Sequence, residues 1–91
     1  MKYDLAYTLQ AIEEVAYLKK TDAIAYKKLI KLLDDIQKHP YSGIGKPERI
    51  KYEYAGCYSR RITQKHRLIY SVDDETITVL ILSTVGHYDD K

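Results

Sequence analysis

Glu48, Arg61, Arg67 and His87 are the residues of this 91-residue chain whose types could together do chemistry. A carboxylate can accept a proton, an imidazole can donate one, and guanidinium groups can hold the charge that builds on a reacting phosphoryl group. Cutting an RNA strand needs all three. The ribose 2′-oxygen must lose a proton and attack phosphorus, the 5′-oxygen must gain one, and the added negative charge must be stabilised. Glu48 follows Pro47, His87 stands beside Tyr88, and Arg61 and Arg67 flank a short polar segment. His66 is a rival for the acid, although a turn-tip histidine before Arg67 reads more readily as a solvated loop residue. Glu48 taken alone reads as a surface acid at the start of a strand. Spacing does not show that positions 48, 67 and 87 converge, so these residues leave catalysis open.

Their surroundings point to a polyanion. Between Lys46 and Arg67 lie seven Lys/Arg (Lys46, Arg49, Lys51, Arg60, Arg61, Lys65, Arg67) and two acids (Glu48, Glu53) in a chain whose net charge is only +2. Tyr52, Tyr54 and Tyr58 are interleaved with these cations. Clustered cations attract phosphates, and rings or guanidinium planes stack on unpaired bases. A solvated β-surface that only keeps the protein soluble accounts for the same charges equally well.

Composition narrows the rest. Ninety-one residues suit one domain, 1–91, with a single core. No apolar run approaches the ~20 residues of a bilayer span, and the first residues lack a signal-peptide core. Cys57 is the single cysteine, with no partner for a disulfide, and with three histidines it leaves no four-ligand zinc set. The expected protein is cytoplasmic, reduced, and free of metal and cofactor. Gly43-x-Gly45-Lys46 is not a phosphate-binding loop, because Pro47 stands where Ser or Thr is required. Cys57 reads as a small packing residue rather than a nucleophile.

The elements that must position these side chains can be read from periodicity. Residues 2–7 are β-prone, and Thr8 is a candidate N-cap for a helix from Leu9 to about Lys19. Thr21 or Asp22 caps a second helix, whose buried face is Ala25, Leu29, Leu32, Leu33 and Ile36. It should stop at His39, before Pro40. Residues 40–47 form a loop, after which the period changes to two. Strands are expected over 49–54, 57–63, 67–72 and 76–83, the last apolar on both faces and therefore central. The fold class is α+β: two N-terminal helices packed on one face of an antiparallel sheet, with a short N-terminal strand. If Gln64, Lys65 and His66 form a three-residue hairpin loop, Thr63 pairs with Arg67 and Arg61 lies diagonal to Arg67, roughly 7 Å away. A two-residue turn would group Arg67 with Ile62 and Arg60 instead.

Four ordered blocks carry a resemblance: Pro40-Tyr41-x-Gly43-x-Gly45-Lys46-Pro47-Glu48, Gly56-x-Tyr58-Ser59-Arg60-Arg61-Ile62, His66-Arg67-Leu68-Ile69-Tyr70, and His87-Tyr88. With this spacing the chain resembles the YoeB-type toxins of the RelE/ParE toxin–antitoxin superfamily. The resemblance implies a RelE-like fold and a ribosome-dependent, metal-independent mRNA endoribonuclease acting in the ribosomal A site. It implies Glu48 as general base, His87 as general acid, Arg67 as phosphate clamp and Tyr88 as an orienting group. Lys46, Lys51, Arg60, Arg61, Lys65 and His66 would contact RNA. The implied partner is a YefM-like antitoxin, and a homodimer is typical. A ParE-like gyrase inhibitor, or an inactive antitoxin- or RNA-binding module, is the alternative on the same scaffold. The chain departs from the family pattern at Gln64–Lys65, at Cys57 and in the tail Asp89–Asp90–Lys91.

Overall fold

A computed structural model describes residues 2–51 and 55–84. Helix α1 (Leu9–Thr21) begins where Thr8, in extended conformation, accepts the Ala11 amide on its side-chain oxygen at 3.0 Å. Helix α2 (Ala23–Lys38) follows after one residue. That residue, Asp22, closes α1 by donating its amide to the Leu18 carbonyl and opens α2 by accepting the Ala25 amide at 3.0 Å. One residue therefore makes the αα-hairpin, its backbone amide satisfying an orphan carbonyl of α1 and its side chain an orphan amide of α2. The second helix ends at His39, as Pro40 requires.

Among the described residues five strands precede or follow the helices: β1 (Asp4–Tyr7), β2 (Glu48–Arg49), β3 (Tyr58–Arg61), β4 (Arg67–Asp73) and β5 (Thr78–Ser83). Their order across the sheet is β1-β5-β4-β3-β2. The pairs from β2 to β5 are antiparallel, as expected, but β1 runs parallel to β5, so the sheet is mixed. The two helices deliver the chain into β2 running opposite to β1, and the three reversals from β2 through β3 and β4 to β5 bring the last strand back parallel to β1. The last strand is interior, as its two apolar faces required. Of the expected strand over 49–54, residues 52–54 lie outside the described segments; β2 as described is Glu48–Arg49, and Ile50 donates its amide to the Cys57 carbonyl at 2.9 Å.

The core fills the space between helices and sheet. Ala25, Leu29, Leu32, Leu33 and Ile36 of α2 meet Leu68 and Tyr70 of β4 and Val79 and Ile81 of β5. Tyr58 of β3 and Val72 of β4 pack against the same cluster. Strand alternation then sends Ser59, Arg61, Arg67, Ile69 and Ser71 to the face opposite the helices, where Arg61 is exposed, Arg67 and Ser71 are half-buried, and Ser59 and Ile69 are buried. Everything that follows depends on this division.

Candidate active site on the open face of the sheet

The register of three neighbouring strands assembles the site. Glu48 of β2 lies opposite Ser59 of β3, and Arg61 of β3 lies opposite Arg67 of β4. Residues directly opposite share a face, with Cβ atoms about 4.5–5.5 Å apart. Glu48, Ser59, Arg61 and Arg67 thus form one contiguous patch. The two arginines pair directly rather than diagonally, which corrects the register drawn from the sequence. The connection is longer than three residues: Ile62 and Thr63 donate their amides to the His66 carbonyl at 3.0 and 3.2 Å. Thr63 Oγ1 accepts the amides of Lys65 and His66, both at 3.2 Å, so the threonine hydroxyl replaces the ladder and ends β3 at Arg61.

Direct pairing of two guanidinium groups is repulsive unless negative charge sits over them. Among the described residues the ion pairs are Lys38–Asp34 and Arg60–Asp35, and neither involves Arg61 or Arg67. Arg61 is exposed and Arg67 half-buried. Glu48 is exposed at the rim of the patch. The surface therefore offers a cationic pair beside a carboxylate, the layout a phosphodiester would occupy.

Arg60 does not belong to it. The sequence placed Arg60 among the RNA contacts, whereas the structure buries it completely on the helix face. All five of its N–H groups are used. Nε donates to the Tyr70 hydroxyl at 3.1 Å, and Nη1 donates to Asp35 Oδ2 at 2.6 Å and the Ile44 carbonyl at 3.0 Å. Nη2 donates to the carbonyls of His39 at 2.5 Å and Ser42 at 2.8 Å. Tyr70 in turn donates its hydroxyl to the Pro40 carbonyl at 2.8 Å. A single guanidinium thus gathers the 39–44 loop onto α2 and β3. Arg61 adds a stitch, its amide donating to the Gly45 carbonyl at 2.7 Å. Gly45 has φ +81°, and a Cβ there would sit 2.6 Å from Leu32 Cδ2 and 3.2 Å from Arg60 Cβ, so the loop passes where only glycine fits. Glu48 leaves this loop three residues later, its position inherited from Arg60.

Asp35 is the acid the sequence reading passed over. It lies three residues after buried Leu32, at the border of the apolar stripe of α2, and that placement was the available signal. Partial burial works against its charged form, but hydrogen bonds from Arg60 and the Ile44 amide outweigh it and hold the carboxyl below the usual carboxylate range. A folded-state pKa below the unfolded one adds stability that is complete above the ordinary carboxylate value. That contribution is lost as pH falls through the lower, folded value. Asp35→Asn is therefore expected to lower the denaturant midpoint clearly at neutral pH, with the gap to wild type narrowing as pH falls below the ordinary carboxylate range. Asp74, held low by hydrogen bonds from Tyr3 and Tyr41, titrates in both proteins and cancels from that difference.

The remaining sequence candidates divide by place. Lys46 (φ 54°) and Lys51 are exposed on either side of β2, and Lys65 is exposed in the turn beyond Arg61. His66 is half-buried at the base of that turn. His87 and Tyr88 lie outside the described residues. Burial pushes the Cys57 thiol up, away from the thiolate a nucleophile needs. Among the described residues no group of three or more His, Cys, Asp or Glu could hold a metal ion, and no helix is long and apolar enough to cross a membrane.

Known proteins resemble the chain in sequence and in fold. A family model described as a YoeB-like toxin of a bacterial type II toxin–antitoxin system matches residues 7–88. The toxin YoeB of Escherichia coli (strain K12) is 37% identical over 84 residues, spanning 92% of this chain and 98% of that protein. A YoeB/ParE toxin from Agrobacterium tumefaciens superposes with a TM-score of 0.88 at 33% identity, covering 93% of this chain and 99% of that one. YoeB of Staphylococcus aureus, 38% identical and covering 97% of this chain and all of its own, is known as a dimer (TM-score 0.84) and in a heterotetrameric complex with YefM (TM-score 0.82).

Proposed function

The chain belongs to the YoeB-like toxins of bacterial type II toxin–antitoxin systems, and we propose that it acts there as an endoribonuclease that cuts mRNA on the ribosome. The observation that carries the proposal is the Arg61–Arg67 pair beside Glu48 on one open face, with no ion pair to either arginine among the described residues. Glu48 takes the proton from a ribose 2′-hydroxyl, whose oxygen attacks the adjoining phosphorus. Arg67, with Arg61 beside it, holds the phosphoryl oxygens as negative charge accumulates. His87, assigned by the family pattern, gives its proton to the departing 5′-oxygen, and Tyr88 orients the phosphate. Lys46, Lys51, Lys65 and His66 contact the flanking backbone, whereas Arg60 is excluded by its burial. Fixing the message in the A site supplies the orientation that a small open patch cannot, an effect worth several kcal/mol in favourable cases. The arginines take the electrostatic role that a metal ion fills in other nucleases.

A YefM-like antitoxin is the proposed partner and a homodimer the proposed assembly, by analogy with the S. aureus complex and dimer. The site of action is the cytoplasm, where translating ribosomes are. Pulse-labelling after induction tests the activity. Amino-acid incorporation is expected to fall before thymidine incorporation, and co-expressed antitoxin is expected to prevent the fall. DNA synthesis stopping first would favour a gyrase inhibitor on the same scaffold.

A further inference from the structure

We propose that Ser59 is a positioning residue for Glu48, an inference that rests on the message-cleaving reading above. Ser59 lies at the centre of the patch, with Glu48 opposite on one side, Ile69 opposite on the other, and Arg61 two residues along the same strand. It is 1% exposed, and its hydroxyl has no hydrogen-bond partner among the described residues. An unpaired buried hydroxyl costs stability, and alanine would fill the same place without that cost. The other orphan hydroxyl, Thr84, lies beyond the end of β5, where its amide bonds to Glu14 of α1. Ser59 is the unpaired donor whose cross-strand partner is a candidate reacting group.

Glu48 supplies what Ser59 lacks. Their Cβ atoms stand about 4.5–5.5 Å apart as cross-strand partners, and the Glu48 side chain is free to rotate at an exposed rim. Folding its carboxylate inward over Ser59 brings one oxygen within reach of the hydroxyl hydrogen. The second oxygen then faces outward, toward the space above Arg61 and Arg67 where the phosphodiester lies. The hydroxyl keeps its proton throughout and fixes only the direction of the base. The neutral donor also competes with Arg61, diagonal to Glu48, which would otherwise draw the carboxylate into an ion pair.

Single-turnover cleavage of ribosome-bound message tests this with Ser59→Ala, Ser59→Thr, Glu48→Gln and the Ser59→Ala/Glu48→Gln double variant. Ser59→Ala is expected to lower the saturating cleavage rate about 10-fold with the half-saturating concentration unchanged and a melting temperature equal to or above wild type. Ser59→Thr, which keeps the hydroxyl, is expected to recover most of the rate. In the Glu48→Gln background the alanine substitution is expected to have no further effect, because the group it positions is already gone. A wild-type rate for Ser59→Ala, or an equal loss in both backgrounds, would overturn the proposal. A wild-type rate for Glu48→Gln would instead remove the base assignment on which it rests.

Discussion

Glu48→Gln is expected to slow cleavage of ribosome-bound message by about 10²–10⁴-fold, the range for loss of a positioned proton acceptor. Its fold is expected to survive unchanged. Glu48 is exposed, ends a two-residue strand pair and takes part in no ion pair among the described residues, so an amide of the same shape disturbs nothing around it. Binding of the message is expected to hold or tighten slightly, since a negative charge leaves a surface that meets phosphates. Arg67→Ala should lose activity too, but with weaker message binding and a shallower salt dependence. The contrast between the two variants separates proton transfer from charge stabilisation.

The largest effect on stability is expected from Arg60→Met. The substitution removes one partner of a buried ion pair and leaves the carbonyls of His39, Ser42 and Ile44 without their donors. Breaking such a pair costs about 3–5 kcal/mol, against a total stability of about 5–15 kcal/mol for a small domain. A fall in Tm of about 15 °C or more follows for a chain of this size. Arg60→Lys is not expected to rescue it, because one ammonium offers three donors where five are used. Arg61→Ala, one residue on and on the other face, is expected to melt near wild type while binding the message more weakly. Two adjacent arginines thus give opposite signatures: a circular-dichroism melt detects the first and a filter-binding titration the second.

The difference between those neighbours marks the limit of what the sequence made legible. Alternation along β3 requires one of Arg60 and Arg61 to face the helices, and the period-two pattern alone implied as much. Nothing local, however, says that a guanidinium will be welcome there. Four of its five acceptors come from residues 16 to 25 positions away, on α2 and the loop that follows, the fifth is Tyr70 on the neighbouring strand, and they meet only when the chain has folded. The cap at Thr8, a second cap narrowed to Thr21 or Asp22, the buried stripe of α2 and the stop before Pro40 were readable, because each depends on neighbours within one or two helical turns. The parallel pairing of β1 with β5 was not, since Asp4 and Thr78 find each other across most of the chain.

The site was legible in part. Placing Arg61 and Arg67 on one face survived a wrong loop length because moving from diagonal to direct pairing keeps both on the same side of the sheet. Ser59 went unnoticed as a possible site residue. A serine inside a strand carries no signal until its partners are known, and here the relevant fact is that its hydroxyl has none among the described residues.

Mapping the ends left on ribosome-bound message, cut by the purified protein, tests most directly whether this face is a site of 2′-hydroxyl attack. The expected upstream fragments end in a 2′,3′-cyclic phosphate, or the 3′-phosphate it opens to, and the downstream fragments begin with a 5′-hydroxyl. Both should disappear with Glu48→Gln. Fragments bearing a 3′-hydroxyl and a 5′-phosphate would mean that water, not the ribose, attacks phosphorus, and would contradict the role assigned to Glu48 and the arginine pair.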